Sequence, residues 1–204
     1  MCGLYRISVL SFPHMPSTEF FLSIKTLSTI LHVLSAVVAM GAAFSADILF
    51  HFFAGDRKLS RMEARTLSTL SRVVWYGLLA VTVTGTMIFL ADPARYLAST
   101  KFLAKMTIML VLVANGVVLD RYVRVHLLSR GFFSARREAF ARKVAFICGT
   151  ISAVSWISIL ALGVIDGVKS SYVSVMGLYA GILGTLVVAS LVFERFAFEP
   201  KRPR

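Results

Sequence analysis

The sequence predicts an all-α integral membrane protein, a bundle of five transmembrane helices with its N-terminus on the outer side of the membrane and its C-terminus on the inner side. Of the 204 residues, 57% are hydrophobic and only 16% are charged, whereas soluble domains are about 45–50% apolar and about 25% charged. The apolar residues form long blocks, and each block matches the roughly 20 residues that a helix needs to cross a bilayer. The basic residues lie mainly between these blocks.

The first two predicted helices have clear local signals at their ends. Ser17 or Thr18 is a suitable N-cap for the first helix. Ser60 and Glu63 form a predicted capping box, so the second helix begins in water before it enters the membrane. The dipeptide Asp92-Pro93 ends that helix, because proline lacks the N–H that a helix interior needs.

The remaining helices also begin at hydroxyl side chains. Ser99 or Thr100 begins the third helix, Ser134 begins the fourth, and Ser170 or Ser171 caps the fifth. The predicted boundaries are 1–18 for a flexible N-terminal segment, 19–198 for the transmembrane domain with spans at about 20–53, 66–90, 101–128, 143–165 and 172–196, and 199–204 for a basic tail.

The distribution of basic residues predicts the orientation and the surroundings of the protein. Most Lys and Arg residues lie in the first loop, in the connection between the third and fourth spans, and in the tail. The positive-inside rule places these segments in the cytoplasm and the protein in the inner (plasma) membrane of a bacterium. The lipid bilayer, with anionic lipids at the cytoplasmic face, is the predicted partner. No nucleic acid is expected, because no basic patch with interleaved aromatics lies on a soluble domain.

His32 is the first candidate for a functional role. It lies well inside the first apolar block, and Ala36, Ala39, Ala43 and Ala46 lie on the same face of the helix. Small side chains on one stripe allow a second helix or a flat cofactor to approach closely. Imidazole is a common axial ligand of haem iron, so a haem b or metal ligand is one interpretation. A histidine that is hydrogen-bonded across a helix interface is the other.

Four further ionisable residues lie in apolar surroundings. Lys105 is at a depth similar to that of His32, and it either takes part in the same cofactor site or extends to the interface. Asp47, His51 and Arg72 form a second predicted group near the cytoplasmic face. An Asp47–Arg72 ion pair would neutralise two costly charges. Alternatively, the group forms a proton path, or Arg72 anchors a haem propionate or an anionic substrate.

The last helix carries small residues at helical spacing, namely Gly177, Gly181 and Gly184. Such a pattern is typical of close helix packing. We expect this face to pack within the chain, and the alternative is a homo-oligomer or a contact with another subunit of a membrane complex.

Two short stretches resemble a known superfamily. The first runs from Lys25 through a Leu-His pair at His32 and several small residues to Gly41. It is similar to the first span of CopD-like copper-resistance membrane proteins and HemJ-type protoporphyrinogen oxidases. The stretch Phe-Leu-Ala-Lys that ends at Lys105 resembles the opening of a later span in those families. The resemblance implies that His32 is a ligand of b-type haem and that Lys105 is a functional residue near it.

Three functions are therefore compatible with the sequence. The first is a haem-binding or redox-linked membrane protein with His32 as ligand. The second is a small transporter or permease, for metal ions or another solute, with a polar cavity between the first three helices and with His32 and Asp47 as binding residues. The third is an accessory structural subunit. No phosphate-binding loop, zinc-protease motif or catalytic-triad signature is present in the sequence.

Overall fold

A computed structural model describes residues 24–55, 60–127, 139–165 and 170–198. The predicted N-terminal segment, the basic tail and the predicted start of the fourth helix at Ser134 lie outside the described residues. Five of the described helices are long and apolar enough to cross a membrane. The predicted all-α class with five membrane-spanning helices is thereby confirmed. The helices are α1 Lys25–Gly55, α2 Arg61–Ala91, α3 Pro93–Leu97, α4 Thr100–Val118, α5 Arg124–Leu127, α6 Ala139–Val164 and α7 Tyr172–Phe198.

Helix α2 begins and ends where the sequence predicts. The Ser60 hydroxyl accepts from the Glu63 backbone N–H, and the Glu63 carboxylate accepts from the Ser60 backbone N–H. This capping box satisfies two backbone donors that have no partner in the helix itself. At the other end, Asp92 accepts a hydrogen bond from the Arg95 backbone N–H and caps α3. Residues 93–97, which lie between the predicted spans 66–90 and 101–128, are therefore helical, because Pro93 occupies the first position of a capped helix.

Helix α4 does not continue as a regular α-helix to its end. A π-helical turn, Leu119–Val123, separates α4 from α5. Such turns widen the helix by one residue and are frequent at functional sites. The turn contains Asp120, which accepts from Arg124 at 2.7 Å and from the Ser71 hydroxyl at 3.3 Å. Asp120 thus forms an ion pair with an arginine one helical turn later.

The helices form two groups. Helices α1 and α2 pack along each other as an antiparallel hairpin, and α4, α6 and α7 form a second group in which α6 contacts both other helices. The two groups meet chiefly through α1 and α6. We call the end of the bundle at which α1 and α7 finish, and at which α2 and α6 begin, the basic end, because it carries Arg61, Arg65, Arg124, Lys143 and Arg195.

The hairpin is closed by an unusually tight contact. A Cβ atom placed on Gly77 would lie 2.6 Å from the Cβ of Ala39, and Ala39 is itself completely buried. Glycine at this position therefore allows the two backbones to approach more closely than any other residue would.

The glycine-bearing face of α7 is not part of an internal interface. Cβ atoms placed on Gly177, Gly181 and Gly184 would meet no other atom within 4 Å. The expectation that this face packs within the chain is therefore wrong for the described residues. The reason is that α7 contacts α6 through its opposite side, where the Tyr179 hydroxyl lies 2.9 Å from the Ser155 hydroxyl. The alternative, a contact with a second protein chain, stays a prediction.

Candidate functional site

A cavity of about 130 Å³ lies between the two helix groups, in the half of the bundle nearer the basic end. Helices α1 and α2 line one side, and α4, the π-helical turn and α6 line the other. Its walls are mostly apolar, with a few polar groups, which is typical of small-molecule sites. The polar and aromatic lining residues are Asp47, Phe50, His51, Ser68, Ser71, Trp75, Asn115, Arg124, Phe146, Ser152 and Trp156.

Asp47 is the most unusual group in this cavity. Its Oδ2 atom is buried and has no hydrogen-bond partner. A Cβ atom placed on Gly149 of α6 would lie 3.4 Å from its Oδ1 atom, so Gly149 faces the carboxyl group across the helix interface. An unpaired buried carboxyl oxygen costs about 1–3 kcal/mol or more. The fold therefore holds an acceptor that a bound molecule with a donor group would satisfy.

Trp156 provides a second unpaired polar atom. Its side chain is 3% exposed, and its indole N–H has no acceptor. The other tryptophan of the protein, Trp75, also lines the cavity, and a Cβ atom on Gly116 would lie 3.4 Å from its ring. An unpaired indole donor cannot be recognised from the sequence without the positions of the neighbouring helices.

Three other polar groups of the cavity, Asn115, Ser71 and Arg124, are already paired. The Asn115 side-chain amide donates to the Cys148 carbonyl of α6 at 2.9 Å. At the basic end, Arg124 donates to Asp120, which also accepts from Ser71 of α2. These bonds tie α2, α4 and α6 together around the cavity. The unpaired groups of Asp47 and Trp156 are thus left as the clearest points for ligand recognition.

The structure does not bring Asp47 and Arg72 together. Arg72 lies on the exposed face of α2, and its guanidinium donates to the Ser68 carbonyl and the Thr69 hydroxyl of its own helix. The two residues therefore do not form the predicted ion pair. His51, one turn after Asp47, lies edge-on to Phe146 and Phe193 at ring-centroid distances of 5.2 and 6.3 Å. It contributes an aromatic wall to the cavity.

His32 lies in the opposite half of the bundle and does not line this cavity. Its Nδ1 atom lies 3.0 Å from the Val81 carbonyl and 3.2 Å from the Thr84 hydroxyl, both on α2. A carbonyl only accepts, so Nδ1 carries the proton, and in the neutral ring Nε2 carries the free lone pair. The predicted hydrogen bond across a helix interface is present, and it also fixes the tautomer that leaves Nε2 available.

Lys105 of α4 is near His32, close enough for the two side chains to interact electrostatically. It is partly buried, and a Cβ atom on Gly163 of α6 would lie 3.6 Å from its ammonium nitrogen. Lys101, one turn earlier, donates to the Ile165 carbonyl instead. The sequence correctly places His32 and Lys105 at similar depth. Arg72 lies deeper toward the basic end, about 14 Å along α2 from Val81, the residue that bonds to His32, at 1.5 Å per residue.

A buried ion pair at the basic end is absent from the sequence-based prediction. The Arg142 guanidinium of α6 lies 3.5 Å from a carboxylate oxygen of Glu194 in α7, with side chains only 7% and 4% exposed. Glu194 is the single acidic residue of span 172–196. Its presence in the sequence could have predicted the pair, because an acidic residue within an apolar span is expected to have a partner.

No group of three or more metal-binding side chains occurs in the described ranges. Asp47 and His51 thus have no third metal ligand there, and His32 does not belong to such a group either. Comparisons with protein-family models, with curated proteins and with solved structures gave no match to the chain. The resemblance to CopD-like and HemJ-type proteins stays a prediction from two short motifs.

Proposed function

We propose that the protein is a permease-type protein of the bacterial inner membrane that binds a small solute in the cavity beside Asp47. The observation that carries this proposal is the buried and unpaired Oδ2 atom of Asp47, a residue that lines the cavity. A protein with a purely structural role gains nothing from an unpaired carboxyl oxygen, which destabilises the fold. Binding sites commonly retain such groups because a ligand satisfies them.

The position of the cavity supports the same proposal. It lies between the α1–α2 hairpin and the second helix group, which share few contacts. A site between two bodies can change its access to either side when one body tilts against the other. In the proposed orientation the basic end lies at the anionic cytoplasmic leaflet, so the cavity is closer to the cytoplasm.

A cysteine-labelling experiment tests whether the cavity admits small solutes. Ser152 of α6 lines the cavity, whereas Ser155 on the same helix is completely buried against Tyr179. We expect Ser152→Cys to react with methyl methanethiosulfonate at least about tenfold faster than Ser155→Cys, because a buried thiol has little access. Adducts are located by peptide mass spectrometry, which separates the new cysteine from Cys148. Equal and negligible reaction of both variants would rule out a solute site in this cavity.

A haem-binding function is the second candidate, and one observation favours it. The Nδ1–H group of His32 donates to a backbone carbonyl, which is the arrangement that orients and strengthens a metal-bound histidine. His32 would hold the iron through Nε2, and a bound haem would supply one-electron chemistry. Arg72 does not fit the role of propionate anchor, because its guanidinium bonds to its own helix.

The haem candidate has a direct spectroscopic test. We expect protein purified in detergent and supplied with haem to show a Soret band and a reduced α-band, and His32→Ala to lose both. His126→Ala is the matched control, because His126 lies near the basic end and its Nδ1 atom bonds to the Tyr122 carbonyl of its own helix. If the wild-type protein shows no absorption bands, the haem candidate is rejected. If the bands are unchanged in His32→Ala, His32 is not the haem ligand.

A further inference from the structure

We infer that the solute of this cavity is a small organic cation with an aromatic or aliphatic body and a hydrogen-bond acceptor at its far end. The inference rests on the proposed function and specifies its ligand. The ammonium group would bind to Asp47, and the acceptor would receive the indole N–H of Trp156.

The first recognition point is the Asp47 carboxyl group. Oδ2 is buried without a partner, and the walls around it are apolar. A charged donor satisfies a buried carboxylate best, because charge-assisted hydrogen bonds are about twice as strong as neutral ones. A bare metal ion is a poor match, since the described residues contain no cluster of three metal-binding side chains. The same carboxylate would repel an anion, and Arg124, which also lines the cavity, is already held by Asp120.

The second recognition point is the Trp156 indole. Its nitrogen can only donate, and it has no acceptor in the described structure. Gly149, which faces Asp47, and Trp156 lie on the same side of α6, about 10 Å apart along the helix axis. Side chains of a helix lean toward its N-terminus, which brings the indole closer to the level of Asp47. A ligand that joins the two points therefore spans less than about 10 Å.

The walls between the two points suit a cation with an apolar body. Trp75, Phe50 and Phe146 line the cavity, and the His51 ring lies edge-on to Phe146. Aromatic faces attract ammonium groups, and the attraction is strongest where water is excluded. Buried water could also satisfy Asp47 and Trp156, but water does not require the apolar walls that separate them.

Three related probes separate these features. Tyramine carries an ammonium group and a phenol oxygen, phenethylamine lacks the oxygen, and hydroxyphenylpropionate is an anion of similar length. Trp75 and Trp156 are the only tryptophans of the protein and both line the cavity, so their fluorescence reports binding directly. We expect tyramine to bind about threefold to tenfold more tightly than phenethylamine. We expect the anion not to bind.

Two substitutions assign the recognition points. Asp47→Asn keeps the size of the side chain and removes its charge, so tyramine affinity falls about tenfold or more. Trp156→Phe retains Trp75 as a reporter and binds both amines, but with no preference for tyramine. Asp92→Asn is the matched control, since Asp92 caps α3 outside the cavity and its loss of charge leaves tyramine affinity unchanged.

The outcomes distinguish the ligand class from the proposed function. Equal tyramine affinity in Asp47→Asn and the wild-type protein would overturn the inference, as would equal binding of the anion. A preference for tyramine that persists in Trp156→Phe would overturn the second recognition point. If no probe binds while Ser152→Cys is labelled rapidly, the inferred ligand is wrong and the proposed solute site stands. If Ser152→Cys is not labelled, the site itself is absent.

Discussion

Gly77→Ala lowers the free energy of unfolding by about 1–3 kcal/mol, the range found for overpacked interiors. The added methyl group would lie 2.6 Å from the Cβ of Ala39, and Ala39 has no free space because it is completely buried. The α1 and α2 backbones must therefore separate along the interface that closes the hairpin. Thermal unfolding in detergent, followed by circular dichroism, measures the loss.

Gly41→Ala is the control for this prediction. It makes the same substitution on α1, where an added Cβ atom meets nothing within 4 Å, so stability should be unchanged or slightly higher. Adding Ala39→Gly to Gly77→Ala should restore part of the loss, because it removes the atom that makes the closest contact. Equal unfolding temperatures for Gly77→Ala and Gly41→Ala would contradict the close approach of α1 and α2.

Glu194→Ala lowers the free energy of unfolding by about 3–5 kcal/mol, as expected when one partner of a buried ion pair is removed. The substitution takes away a carboxylate 3.5 Å from the Arg142 guanidinium, which is only 7% exposed. The remaining charge lies between α6 and α7, where water cannot easily replace the lost partner. The same unfolding measurement applies.

Replacing both partners provides the control. In Arg142→Met combined with Glu194→Leu no buried charge remains, so the double variant should be considerably more stable than Glu194→Ala alone. Glu194→Gln should give an intermediate loss, since the amide oxygen still accepts a hydrogen bond without carrying charge. A Glu194→Ala protein that unfolds at the wild-type temperature would show that the pair does not connect α6 and α7.

Much of the fold was predictable from the sequence because the membrane imposes strict requirements. Apolar length determines the number of spans, and capping residues such as Ser60 and Asp92 mark helix ends through local hydrogen bonds. The π-helical turn at 119–123 could not be predicted in this way. It depends on how α4 meets α2 and α6, and the sequence of the turn carries no distinct local pattern.

The candidate site was predictable only in part. Intramembrane Asp47 stands out in the sequence as an ionisable group that requires an explanation. The lack of an ion pair between Asp47 and Arg72 could not be derived, because residues at similar depth on neighbouring helices face in different directions. Arg72 illustrates this, since it lies at the predicted depth but on the exposed face of α2. The unpaired indole of Trp156 likewise depends on the relative rotation of α1 and α6.

The division of the bundle into a hairpin and a second helix group has a consequence for biosynthesis. The Gly77–Ala39 contact joins two consecutive helices, so the hairpin can assemble as soon as α2 has left the ribosome, before the rest of the chain is made. Arg142 of α6 is synthesised before Glu194, which belongs to the following helix α7. Helix α7 therefore supplies the carboxylate that pairs with Arg142, and chains that terminate before it retain an arginine without this carboxylate partner.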